Sequence, residues 1–201
     1  MTAVIGLAIC PYYLCTMKIR LAELSGGDRR SLGKSKELAS GCMDEHAFES
    51  LIRCLWHTDR RVAMRAADVV EKITSDRPEL LAAFKNELIN LAFHTNAIEI
   101  QWHLAQMFPR LHLPANQKTI VTKLLLDWAT DTSASRIVRA NALESIYELG
   151  KKSSVSMAKL LALMDVLEKE DNPSIRARIK KIRKRISGDL SLNESKKMSR
   201  H

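Results

Sequence analysis

Cys42, His46, Cys54 and His57 put two thiols and two imidazoles, the residue types that hold zinc, within one short stretch. Their spacing works against a shared ion. On a helix running from Asp44, His46 and Cys54 stand eight residues apart, which is about 12 Å along the axis, whereas zinc draws its ligands to about 2 Å. The expectation is core cysteines and no metal. Gly33-Lys34-Ser35 closes a stretch, SGGDRRSLGKSKEL from Ser25, with the residue types of a phosphate loop. That loop needs four residues between its glycines. Gly27 to Gly33 encloses five, and no apolar strand precedes it. The stretch reads instead as a polar connector into a capping helix over residues 34–40, able to bring Arg29 and Arg30 beside Arg65. No Ser, His and Asp set stands out elsewhere, and no cofactor is implied. The sharpest feature is Trp102, with His103, Gln106 and Arg110 close by in sequence: a large aromatic among polar side chains, the composition of an interface anchor.

The elements that must position these residues are written four times. VAMRAADVVEKI from Val62 returns as IQWHLAQMFPRL from Ile100, VRANALESIYEL from Val138 and IRARIKKIRKRI from Ile175, at intervals of 38, 38 and 37 residues. The first column is Val62, Ile100, Val138 and Ile175; the fifth is Ala66, Leu104, Ala142 and Ile179. The eighth is Val69, Met107, Ser145 and Ile182, and the twelfth is Ile73, Leu111, Leu149 and Ile186. Offsets of 0, 4, 7 and 11 trace one helical face, broken only by Ser145. A second apolar helix precedes each phrase: FESLIRCLW from Phe48, LLAAFKNELINLAF from Leu80, TIVTKLLLDWA from Thr119 and VSMAKLLALMDVL from Val155. Asp59, Ser133 and Asn172 stand where N-caps belong, Pro173 follows its cap, and Pro78 opens the second pair. Pro109 falls inside the second phrase, where it removes a backbone donor and predicts a kink or an early end. Neither helix of a pair can bury its face alone, so the pairs must stack.

The period and the columns resemble the HEAT-repeat superfamily, whose repeats place an apolar-Arg step at the start of the second helix. Val138-Arg139 and Ile175-Arg176 match that step, while Val62-Ala63 and Ile100-Gln101 depart from it. The resemblance covers residues 43–187. RAAD from Arg65 and WHLAQM from Trp102 are also similar to small bacterial HEAT proteins. It implies an all-α, right-handed α-solenoid of four helical pairs, a scaffold whose second helices line a concave side.

On those helices offsets 3, 6 and 10 are expected to form an outward polar face. They carry Arg65, Asp68 and Lys72; His103, Gln106 and Arg110; Asn141, Glu144 and Glu148; and Arg178, Lys181 and Arg185. The plain reading is a solvated face with ion pairs such as Arg65 with Asp68 and Asp68 with Lys72. The sharper one is a partner-binding surface centred on Trp102, whose column of Met64, Trp102, Ala140 and Ala177 flanks the polar one. Trp102 could equally fill a gap left by the Pro109 kink. Trp56 and Trp128 are expected in the core between repeats. HEAT-like alkylpurine DNA glycosylases pair a tryptophan with an aspartate one helical turn later; here that position is Gln106, which is uncharged, and Asp127 points about 100° away from Trp128.

Composition bounds the rest. The chain has 201 residues, 46% of them hydrophobic and 5% aromatic, with Gly and Pro together only 12, a helical composition able to bury a core. The net charge of +9 sits at the end: residues 176–201 hold ten Lys or Arg against Asp189 and Glu194, leaving +1 for residues 1–175. A basic cradle along the whole chain is therefore not supported. A basic face of Arg176, Arg178, Lys181 and Arg185 could still meet nucleic acid or an acidic protein, or could simply cap the stack. Residues 1–16, MTAVIGLAICPYYLCT, are too short and too interrupted for a membrane helix and lack a basic start, so Met17 reads as the natural beginning. The four cysteines, all within the first 54 residues, form no disulfide framework and suit a reducing cytoplasm. The expected organisation is a leader over 1–16, a connector and cap over 17–42, the repeats over 43–187 and an unstructured basic tail over 188–201. The expected function is a non-enzymatic protein-binding adaptor, with a nucleic-acid module and then a glycosylase as the alternatives.

Overall fold

The computed structural model describes residues 45–151 and 154–198, and every regular element among them is helical. The leader, connector and capping helix expected before Glu45 lie outside the described residues, as do Cys10, Cys15 and Cys42. The chain divides into two compact units, residues 1–80 and 81–201.

In the first unit, α1 (Glu45–Arg53) tightens into a 3-10 turn, Cys54–Trp56, and packs on α2 (Arg60–Asp76). Asp59 caps α2 by accepting from the Arg61 amide, and the Arg61 side chain, then that amide, hold its carboxyl below the usual range. Val62, Ala66, Val69 and Ile73 of α2 are all buried, as are Phe48 and Ile52 of α1. Each of these valine and isoleucine side chains contributes about 1.5–3 kcal/mol when fully withdrawn from water. Trp56 is a correction: it is 43% exposed. The 3-10 turn winds by about 120° per residue instead of 100°, so Cys54 and Leu55 stay buried while Trp56 swings out.

A 3-10 stretch, Pro78–Phe84, leads from the first unit into the second. There α3 (Lys85–His94) pairs with α4 (Ile98–Met107), α5 (Ala115–Thr130) with α6 (Arg136–Gly150), and α7 (Ser154–Leu167) with α8 (Pro173–Met198). The second helices also pack on one another in order, α4 on α6 and α6 on α8. This is the lateral stacking that the repeated phrase requires, because Ile100, Val138 and Ile175 are 2% exposed or less. Among the described residues the all-α class and the repeated helical pair are what the sequence led one to expect. Asn172 caps α8 through the Ile175 amide, but the cap of α6 is Ser135 and not Ser133. Ser133 is held two residues upstream, where Asp131 accepts from both its hydroxyl and its amide.

Pro109 ends α4 at Met107 and starts a 3-10 turn, Phe108–Arg110. The amide that would meet the Ala105 carbonyl one turn on is the nitrogen of Pro109, which has no hydrogen. Ser145 of α6 supplies the donor instead: its hydroxyl reaches the Ala105 carbonyl across the seam, and also lies 2.8 Å from its own helix's Asn141 carbonyl. The one polar residue in the apolar column is thus the partner of the proline in the neighbouring repeat.

The helix α8 corrects a further expectation, since it runs on through residues that composition reads as an unstructured tail. Asp189, the second residue beyond Ser187, accepts at 2.8 Å from the hydroxyl of Tyr147, a buried residue of α6. That bond ties the extension to the stack.

Candidate functional site

The polar columns do not all face water. Arg65 is 1% exposed and His103 6%, and Asn141 is buried as well, so offset 3 is an interior position in three of the four phrases. Offsets 0, 4, 7 and 11 centre the apolar stripe, and offset 3 stands only about 70° from that centre. In the second unit the helices packed against α4 and α6 reach that far. This corrects the expected solvated face at Arg65 and His103. Offsets 6 and 10 remain accessible: Asp68, Lys72, Gln106, Arg110, Glu144 and Glu148 are half-buried, and Lys181 and Arg185 are exposed. The position most nearly opposite the stripe is offset 2, about 170° away, which is the column of Trp102, Ala140 and Ala177.

In the first unit Lys72 and Asp68 form the expected ion pair. In the second unit Trp102 is half-buried, its ring tilted at 57° to that of His103 with centroids 5.3 Å apart. The buried imidazole therefore supports the indole from the side. Gln106 and Arg110 follow along the same helix and its 3-10 turn. Trp128 is likewise half-buried and not fully interior.

The basic face of α8 is largely answered by its neighbours. Arg178 lies 2.9 Å from Glu144, and Arg185 pairs with Glu144 and, at 3.4 Å, with Glu148. Arg176 binds the Glu170 carbonyl at 3.0 Å and Asp171 at 3.1 Å, while Arg183 bonds Asp165 at 2.6 Å. The acidic column of α6 thus pairs with Arg178 and Arg185 of the basic column of α8 but not with Lys181, a pairing that sequence columns read one helix at a time do not reveal. Arg185 also lies 4.5 Å from the centre of the Tyr147 ring. Burial, then the bond to Asp189, pushes the Tyr147 phenol up to about 12. Arg139, the arginine of the apolar-Arg step, is a structural clamp. Its Nε donates to the Ala129 carbonyl at 2.9 Å and its Nη2 reaches both Glu170 oxygens at 2.8 and 2.7 Å, joining the end of α5 to the turn before α8.

What sequence reasoning missed is a solvent-open groove of about 330 Å3 between α6 and α8. Ala140 and Ala177 line it together with Arg136, Ile137, Ser174, Arg178 and Lys181. The signal was the drop from Trp102 to alanine along offset 2. Arg136, Ile137 and Ser174 escaped because they precede the twelve-residue phrase.

Cys54 is buried, its thiol donates to the Ser50 carbonyl at 3.3 Å, and burial pushes it up to about 11, while the His57 ring accepts from the Asp59 amide. Among the described residues no cluster of three or more His, Cys, Asp or Glu could hold a metal, and no helix is long and apolar enough to cross a membrane. Stacked helical pairs with an accessible second-helix face define a helical-repeat scaffold. The chain belongs to the HEAT repeat domain family, whose model matches residues 28–186. No curated protein matches it.

Proposed function

We propose that the protein is a non-enzymatic cytoplasmic adaptor that binds a protein partner through the accessible columns of its second helices, with Trp102 as the anchor. HEAT repeats often mediate protein interactions, and the carrying observation here is the placement of Trp102. It sits on the column farthest from the buried stripe, partly accessible, propped by His103 and followed by Gln106 and Arg110. An aromatic held in place loses little freedom on binding and offers a large apolar area, the properties of an interface hot spot. Asp68 and Lys72 offer an accessible ion pair in the first unit, whereas Arg65 and His103 contribute from beneath. The carboxylates that engage Arg178 and Arg185 argue against a nucleic-acid track along α8, since phosphate would have to displace Glu144 and Glu148.

The test is capture of a partner by the tagged full chain, followed by titration of the purified pair. Trp102→Ala is expected to weaken binding by about 30-fold, the loss of about 2 kcal/mol typical of an anchor, with weak dependence on salt. Unchanged affinity in Trp102→Ala, with binding that collapses between 50 and 200 mM salt as for about six to ten phosphate contacts, would replace the adaptor with a nucleic-acid module.

A further inference from the structure

The groove between α6 and α8 has a composition that selects its occupant. Its apolar part is Ala140, Ala177 and Ile137, the last 42% exposed. Its polar part is cationic: Arg136, Arg178 and Lys181, with the Ser174 hydroxyl beside them. Of the three cations only Arg178 is committed, to Glu144 at 2.9 Å. Arg136 and Lys181 are exposed, and no carboxylate among the described residues neutralises either. Neither α6 nor α8 carries an acidic residue in its first turn, so the positive ends of both helices add to the field at this end of the seam.

We infer that this groove docks an acidic peptide segment of the partner, with Asp or Glu carboxylates held by Arg136 and Lys181 and a small apolar side chain seated on Ala140, Ala177 and Ile137. The inference rests on the adaptor reading and names the chemistry of the partner. Charge complementarity requires an anion. The apolar lining requires that the anion bring hydrocarbon with it, which a peptide does and a phosphate backbone does not. A volume of about 330 Å3 is at the small end of ligand pockets and suits one or two side chains. The alanines are what make room. Where α4 has Trp102, α6 and α8 have Ala140 and Ala177, and a larger residue at either would fill the space.

The experiment is fluorescence anisotropy on the full chain with a labelled nine-residue peptide of Asp, Glu, Leu and Ala, against its Asn/Gln counterpart and a single-stranded oligonucleotide of equal charge. The acidic peptide should bind at least about tenfold tighter than the amide form. Arg136→Glu with Lys181→Glu should abolish binding. Ala177→Leu, which fills the groove without touching charge, should weaken it by about tenfold. Lys180→Glu, an exposed cation outside the groove, should leave it unchanged, and equal melting temperatures exclude misfolding as the cause. Failure to bind the peptide, equal loss in Lys180→Glu, no effect of Ala177→Leu, or preference for the oligonucleotide would each overturn the inference. A partner that depends on Trp102 but ignores the groove variants overturns the groove alone. A peptide that depends on the groove, beside a partner indifferent to Trp102, supports the groove and moves the anchor.

Discussion

The seam between α4 and α6 and the seam between α6 and α8 join the same kind of helix by the same lateral packing, yet they are closed by different chemistry. At the first, Pro109 strands a carbonyl on Ala105 and the Ser145 hydroxyl of the next repeat answers it, a neutral repair inside the apolar stripe. At the second, carboxylates of α6 meet arginines of α8, Tyr147 meets Asp189, and Arg139 clamps the turn that leads into α8. The second seam carries the groove, because Ala140 and Ala177 stand where a large side chain could have closed it. Repetition therefore fixes how the helices lie, while the individual substitutions decide whether a seam is sealed or open to a partner.

The largest expected effect that sharpens this contrast is at the charged seam. Arg139→Ala strands the Ala129 carbonyl and leaves Glu170 without its bidentate partner, at an expected cost of about 3 kcal/mol in urea unfolding. Arg139→Met with Glu170→Gln should recover a large part of that, since the uncompensated charge is then gone. At the neutral seam Ser145→Ala should cost about 1–2 kcal/mol, the penalty for a buried carbonyl left without a donor. Tyr147→Phe is expected to cost about 1 kcal/mol at neutral pH. Because the folded phenol titrates near 12 against 10.0 for an ordinary tyrosine, its contribution is complete below pH 10 and is lost as the pH rises towards 12. The difference in stability between wild type and Tyr147→Phe should shrink over that window, and a constant difference would count against a raised phenol. The smallest effect should come from Arg178→Ala: a partly exposed pair contributes about 0.5 kcal/mol or less, and a loss as large as that of Arg139→Ala would erase the distinction between clamp and surface pair.

Much of the architecture was legible, because a period of 38 residues and a four-column apolar stripe leave little choice but stacked helix pairs. Asp59, Asn172 and the early end at Pro109 were readable for the same local reasons that cap and break any helix. Arg65 and His103 were misread because the wheel marks the centre of the buried stripe and not its width, and offset 3 stands only about 70° from that centre. Trp56 was misread because a 3-10 turn changes the angular step that the wheel assumes. The length of α8 was hidden by a composition that suits disorder, although Tyr147, 42 residues before Asp189 in the chain, supplies the tie. Ser145 and Pro109 were each visible as irregularities. Their relation is a contact across 40 residues between Ser145 and Ala105, which no local pattern encodes.

That relation is also where the central claim, that at the α4–α6 seam a residue of one repeat answers a defect in its neighbour, can be tested most directly. A double-mutant cycle on Pro109→Ala and Ser145→Ala, read by urea unfolding, should show coupling of about 1 kcal/mol or more, because alanine at 109 restores the amide that the Ala105 carbonyl lacks and makes the hydroxyl dispensable. Additive losses, with Ser145→Ala equally costly in both backgrounds, would contradict the claim.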